Sequence, residues 1–137
     1  MDLIVVGVDG SDTAWNSGKA AARLAVATNA RLHVVTAYVA KSNSLDFADV
    51  RIDPARDANR TAANAASELR EIVSDITSNA VFGHVAEALT NEAVALNADL
   101  IVVGNRRIQS ATRPLGSAGA AVARRAPCDV YIVNTVG

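Results

Sequence analysis

The most informative stretch of this sequence spans residues 99–126 and opens with Asp99-Leu100-Ile101-Val102-Val103-Gly104. Its four consecutive apolar residues are typical of a strand buried on both faces of a parallel sheet. A polar loop covers residues 105–115. Gly116 and Ser117 then precede an alanine-rich segment, where Ser117 is expected to be the N-cap of a helix. The stretch therefore predicts a strand, a loop and a helix N-terminus in direct succession.

A strand, a glycine-bounded loop and a helix N-terminus can together bind an anion. The first amides of a helix have no partner within it, and the helix dipole places roughly half a positive charge at that end. The loop adds Arg106, Arg107 and Arg113, and no acidic residue occurs between Asp99 and Asp129. Two interpretations stay open: a phosphate site, or an ordinary turn whose arginines are solvated.

Length and composition favour one globular domain over residues 1–137. Half of the residues are apolar and 4% are aromatic, which suits helices packed closely on a sheet and argues against disorder. The net charge of −1 provides no general attraction for nucleic acid or an anionic membrane. No apolar run approaches ~18 residues and no signal segment is recognised, so we expect a soluble, cytoplasmic protein. Cys128 is the single cysteine, and we expect it to be a buried, unreactive thiol rather than a reactive one.

Strands and helices are predicted to alternate along the whole chain. The predicted strands are 3–8, 31–39, 76–82, 99–103 and 128–133, of which 76–82 is placed at a sheet edge. The predicted helices are 13–28, one capped by Asp53 that ends between Ile72 and Thr77, 85–97, and one from Ser117 to about residue 125. Alternation of this kind predicts a three-layer α/β sandwich around a parallel sheet.

Several side chains have expected environments within these elements. Trp15 is expected in the core or an interface, and Leu89, Ala93 and Leu96 are expected to face inward. We expect His33 to be a structural histidine whose ring nitrogens have hydrogen-bond partners. Glu87 and Glu92 are expected to be solvated. Because His33 and His84 are the only histidines, no metal site is predicted.

Asp9 directly follows the first predicted strand. Ligands of open α/β sheets bind at the carboxyl ends of the strands, so Asp9 could accept a hydrogen bond from a ribose hydroxyl or an adenine amino group. Alternatively, it only shapes the turn formed with Gly10 and Ser11.

Four motifs together resemble the universal stress protein family over nearly the whole chain. They are Ile4-Val5-Val6-Gly7-Val8-Asp9-Gly10-Ser11, then Ala86-Glu87-Ala88-Leu89, then Ala98 with the strand ending at Gly104, and finally Gly116-Ser117 through Ala126-Pro127-Cys128-Asp129-Val130. The resemblance implies a five-stranded sheet in the order 3-2-1-4-5 with two helices on each face. It also implies a cytoplasmic, stress-linked role, homodimers that pair through the last strand (residues 129–133) and, in one branch, ATP binding.

The nucleotide-binding branch resembles a pattern of Gly, two residues, Gly, nine residues, Gly and then Ser or Thr. Gly104, Gly116 and Ser117 fit this pattern, but Arg107 stands at the second glycine and only eight residues separate it from Gly116. Arg107 either contacts a phosphate itself or fills the pocket. By resemblance, Asp9 contacts the nucleoside, Ala37 lies along the adenine, and the phosphates lie against Gly104, Gly116 and Ser117. The full set of candidate binding residues is Asp9, Ala37, Gly104, Asn105, Arg106, Arg107, Gly116, Ser117 and Ala118.

Three functions follow from this comparison of residues. The first is regulatory binding of an adenine nucleotide, with ATP and Mg²⁺ ahead of AMP or cyclic AMP. The second is a dimeric interaction module without nucleotide, which the substitution at Arg107 and the shortened loop favour. The third is ATP hydrolysis, expected to be slow at most, because the loop carries no acid or histidine that could activate water.

Overall fold

Strands and helices alternate along the chain in the computed structural model, which describes residues 1–39, 53–105 and 117–134. The strands are β1 (Leu3–Gly7), β2 (Arg31–Tyr38), β3 (Ile76–Phe82), β4 (Leu100–Asn105) and β5 (Asp129–Asn134). The helices are α1 (Asp12–Thr28), α2 (Pro54–Leu69), α3 (Val85–Leu96) and α4 (Ser117–Arg125). The predicted alternation is confirmed, with most boundaries moved by one or two residues.

The five strands form one parallel sheet in the order β3-β2-β1-β4-β5. This confirms both the order 3-2-1-4-5 and the edge position of β3. The central strand β1 carries Ile4, Val5 and Val6, all fully buried. A strand with apolar residues on both faces needs a helical layer on each side, and four helices supply these layers.

Successive side chains of each strand enter two separate cores, because neighbouring residues of a strand point to opposite faces. One core joins Ile4, Val6 and Val34 to α1 and α2 through Ala21, Ala25, Ala62 and Leu69. The other joins Val5, Val35 and Ile101 to α3 and α4 through Leu89, Ala93 and Val122. The three-layer sandwich with two helices on each face is therefore confirmed.

The predicted end of α2 is wrong by at least three residues. The Asp53 carboxylate accepts a hydrogen bond from Arg56 N at 3.1 Å and caps the helix as expected. The helix ends at Leu69, where Ile72 N and Val73 N both donate to Leu69 O in a tight turn. Val73 enters the core and Ile72 leaves it, with 37% of its surface exposed. The apolar stripe thus continues past the end of α2, through a turn and into β3. The spacing of apolar residues alone therefore did not show where the helix ends.

Three expected environments changed or were refined on α1 and α3. Leu96 is 42% exposed, not buried. The left-handed turn at Asn97 brings Ala98 instead into the core between the sheet and α3. Glu92 is not solvated: its carboxylate accepts hydrogen bonds from His33 and Asn79. Trp15 is half-buried against the core beneath α1 and α2.

Candidate functional site

A crevice opens at the carboxyl edge of the sheet, where β1 and β4 are neighbours. The chain leaves β1 for α1 on one face and reaches α4 on the other face after β4, so the two connections diverge and leave a gap between them. The crevice has a volume of about 340 Å³. Its described lining comes from both faces of the sheet: Gly7, Val8, Asp9, Thr13, Ala14, Ser17, Val35, Ala37, Val85, Leu89, Val103, Gly104, Ser117, Ala118 and Gly119.

Five of the nine candidate binding residues line this one crevice: Asp9, Ala37, Gly104, Ser117 and Ala118. Asn105 follows Gly104 at the end of β4 and is buried, but it is not among the described lining residues. Arg106, Arg107 and Gly116 lie outside the described residues. The fold thus brings together residues that are more than 100 positions apart in sequence.

Asp9 shapes the turn between β1 and α1. Its Oδ1 accepts hydrogen bonds from Ser11 N at 2.9 Å and from Ser11 Oγ at 2.6 Å. Ser11 Oγ in turn accepts from Ala14 N at 3.2 Å and caps α1. Gly10 between them has a φ of +87°, a conformation that favours glycine. The turn-forming interpretation of Asp9 is therefore confirmed, and the same residue lines the crevice.

The first turn of α4 lies against the crevice, through Ser117, Ala118 and Gly119. Ser117 is itself part of the described helix, so it is not the N-cap that the sequence suggested. The first turn contains no acidic residue, and the last turn carries Arg124 and Arg125. The first amides of a helix have no partner within it, so the start of α4 brings hydrogen-bond donors and the positive end of the helix dipole beside the crevice, without a side-chain carboxylate in the described first turn.

The crevice also has an apolar wall. It consists of Val35 and Ala37 of β2, Val85 and Leu89 of α3, and Val103 of β4. Gly7 allows α3 to approach closely, since a Cβ added there would lie only 3.1 Å from Leu89 Cδ1. The wall suits a flat, weakly polar group, and Asp9 is the only charged residue among the described lining.

Sequence reasoning missed Thr13, Ser17, Val85 and Leu89 as lining residues. Ser17 is fully buried, and its Oγ lies 3.5 Å from Thr13 O. Leu89 was predicted to face inward, but only the packing of α3 against β1 and β2 brings it to the crevice. The alternation of apolar and polar positions identifies buried residues and gives no information about which of them border an opening.

Within the described residues, no three histidine, cysteine, aspartate or glutamate side chains lie close enough together to hold a metal ion. In the same ranges, no helix combines the length and the apolar character that a bilayer-spanning segment requires.

The topology and the crevice together define a doubly wound α/β protein with a ligand crevice where the strand order reverses. The family model described as the universal stress protein family matches residues 1–134. The chain therefore belongs to the universal stress protein family, as the four sequence motifs predicted.

Known relatives share the fold over almost their whole length. The universal stress protein Rv1636 of Mycobacterium tuberculosis is 34% identical over an alignment of 146 positions, which covers 96% of this chain and 95% of the relative. A universal stress protein solved in complex with cAMP is 34% identical, with a TM-score of 0.80 and coverage of 98% of this chain and 97% of that one. A universal stress protein from Archaeoglobus fulgidus, solved in complex with dAMP, is 22% identical, with a TM-score of 0.77 and coverage of 98% of both chains.

Proposed function

We propose that this chain is a cytoplasmic stress-response protein that binds an adenine nucleotide as a regulatory ligand in the crevice between β1 and β4. ATP with Mg²⁺ is the first candidate, with AMP and cyclic AMP behind it. The observation that carries the proposal is that Asp9 and the first turn of α4 line the same crevice. A nucleoside needs an acceptor for its hydroxyl or amino groups, and a phosphate needs donors, which these two features supply.

The shape of the crevice supports the same ligand class. Pockets for small molecules typically have volumes of roughly 300–1,000 Å³ and combine apolar walls with a few polar groups. In this proposal the purine base packs on Val35, Ala37, Val85 and Leu89 and the phosphates lie beside Gly104 and Ser117; all six residues line the crevice. Asn105, Arg106, Arg107, Gly116 and Ala118 complete the proposed binding set.

The relative solved with cAMP strengthens the case for cyclic AMP as the ligand, because that relative is 34% identical over nearly the whole chain. A ligand with one phosphate needs fewer backbone amides than ATP does. Arg107, at the position of a glycine in the nucleotide-binding pattern, bears on this choice, since it either contacts a phosphate itself or fills the pocket.

Isothermal titration with ATP and Mg²⁺, cyclic AMP and AMP tests the proposal. We expect a dissociation constant of about tens of micromolar or lower for at least one of them. Asp9→Asn keeps an oxygen acceptor for the Ser11 turn but removes the charge, so it should weaken binding about tenfold or more. Asp12→Asn removes an exposed charge three residues away and should bind like the wild type. Absence of heat for all three ligands at millimolar concentration contradicts nucleotide binding.

The second candidate function is a dimeric interaction module that needs no nucleotide. Arg107 in place of glycine is the observation that favours it. Its signature is a stable dimer whose melting temperature does not change with ATP or cyclic AMP, because a ligand that binds only the native state must raise that temperature. In both versions we propose a homodimer that pairs through β5 and no nucleic-acid partner. For the nucleotide-binding version we propose no catalysis beyond slow ATP hydrolysis.

A further inference from the structure

A polar network lies beneath α3 and away from the crevice. His33 of β2 is in the middle of it: its Nε2 lies 2.7 Å from Glu92 Oε2 of α3, and its Nδ1 lies 2.6 Å from Thr77 Oγ1 of β3. Asn79 of β3 donates from Nδ2 to the same Glu92 oxygen at 2.9 Å. One carboxylate thus joins α3 to two neighbouring strands.

The network is largely shielded from water. The side chains of His33 and Glu92 are 8% and 13% exposed. A carboxylate has no hydrogen to donate, so His33 Nε2 carries a hydrogen and donates a hydrogen bond to Glu92. Hydrogen bonds to a charged group in such surroundings contribute more than exposed ones, and removing one partner leaves the other buried without compensation.

The same helix and the same strand continue into the crevice. Glu92, Leu89 and Val85 are spaced at i, i−3 and i−7 and therefore share one face of α3. His33, Val35 and Ala37 alternate onto one face of β2 in the same way. The polar network therefore joins α3 to β2. Farther along the same two faces, apolar side chains of both elements line the crevice.

We propose that Glu92 is a positioning residue for the crevice. Its bonds to His33 and Asn79 hold α3 against β2 and β3, and this fixes where Val85 and Leu89 of α3 lie relative to Val35 and Ala37 of β2 in the apolar wall. The identity of the ligand that uses this wall rests on the proposed function, whereas the position of the wall is a property of the chain alone.

Methyl NMR of the ligand-free protein tests the position of the wall. Glu92→Ala should shift the Val85 methyl signals, although Val85 lies seven residues away, or about 10 Å along the helix. Glu92→Gln retains an oxygen that accepts from both partners and should restore the wild-type signals. Glu87→Ala removes an exposed carboxylate from the same helix and is the matched control. Unmoved Val85 signals in Glu92→Ala overturn the proposal.

Nucleotide titration measures the consequence for binding. With cyclic AMP, and with ATP and Mg²⁺, Glu92→Ala should raise the dissociation constant about three- to tenfold, and Glu92→Gln should not. Val73→Ala, a buried change beneath α2, should lower the melting temperature without changing that constant. If Val73→Ala weakens binding as much as Glu92→Ala, general destabilisation is the cause and the positioning role is wrong.

A wild-type protein that binds none of cyclic AMP, AMP and ATP contradicts the proposed function and not the positioning role. The Val85 methyl signals then decide alone whether Glu92 fixes the wall.

Discussion

Asp99 joins the beginnings of β1 and β4, the two strands that border the crevice. Its Oδ2 accepts hydrogen bonds from Asp2 N at 2.6 Å and from Leu3 N at 3.0 Å. These two backbone bonds are the main reason why the pKa of Asp99 is lowered from its ordinary value of 3.8. The bonds favour the ionised carboxylate, because a charged oxygen is a stronger acceptor than the oxygen of a neutral carboxyl group.

The lowered pKa of Asp99 predicts a pH dependence of stability. The contribution of Asp99 should be fully present above its ordinary pKa of 3.8 and be lost as the pH falls through the lower pKa of the folded state. Asp99→Asn cannot ionise, so its melting temperature should be below that of the wild type at neutral pH and approach it in acid.

Thermal unfolding between neutral and strongly acidic pH measures this difference. Glu68→Gln, which removes an exposed carboxylate from α2, is the control. A difference between wild type and Asp99→Asn that stays constant through the acid range would contradict the assignment.

Cys128 partly meets its expected environment. It is half-buried, not fully buried. Burial is the largest cause that raises the pKa of its thiol, and the nearby Asp129 and Asp99 raise it further. A raised pKa keeps the sulfur protonated at neutral pH, and a protonated thiol is a poor nucleophile.

At the scale of elements, the contact between β1 and α3 determines how deep the crevice is. Leu89 is almost fully buried and also lines the crevice, and it packs directly over Gly7. The absence of a side chain at Gly7 lets the helix come this close. The first family motif contains Gly7, but the packing role of Gly7 depends on Leu89, which lies 82 positions later.

Gly7→Ala should destabilise the protein by about 1–3 kcal/mol. The added Cβ would lie 3.1 and 3.2 Å from the two δ carbons of Leu89, and Leu89 has little room to move. Gly119→Ala should instead be neutral or stabilise by up to about 1 kcal/mol, because alanine favours a helix and the nearest atom, Ile132 Cδ1, is 3.9 Å away.

Urea denaturation of both variants compares the two glycines. Equal stability of Gly7→Ala and the wild type would mean that α3 can retreat from β1 without cost.

At the scale of the whole molecule, each edge of the sheet offers a surface to a second chain. β3 and β5 are the edge strands of the described sheet, and both present an exposed aromatic residue: Phe82 is 58% exposed and Tyr131 is 45% exposed. An edge strand offers unpaired backbone groups to another chain. The proposed dimer uses β5, so Tyr131 should lie at the subunit boundary.

Tyr131→Lys should dissociate the proposed dimer, because a twofold interface brings the two introduced charges close together. Sedimentation equilibrium should then give the monomer mass at concentrations where the wild type is dimeric. Phe82→Lys makes the same chemical change on the other edge strand and should leave the dimer intact. A monomeric wild type, or an unaffected Tyr131→Lys dimer, excludes pairing through β5.

The sequence by itself determined the class of fold and most of its elements. Apolar runs such as the one in β1 could only be strands buried on both faces, and the helices between them required parallel connections. The family motifs then supplied the strand order and the residues Asp9, Gly104 and Ser117. The elements are encoded locally, in the spacing of apolar residues and in turn residues such as Gly10, whereas the strand order followed only from the resemblance to the family.

Only the tertiary structure decided which distant residues meet. It joined Glu92 to His33 and Asn79, turned Leu96 outward, and ended α2 at Leu69. A side chain's environment depends on what packs against it, and that information is held in contacts between elements far apart in sequence. For the same reason the sequence named candidate site residues, and only the folded sheet showed that several of them line one crevice with an apolar wall.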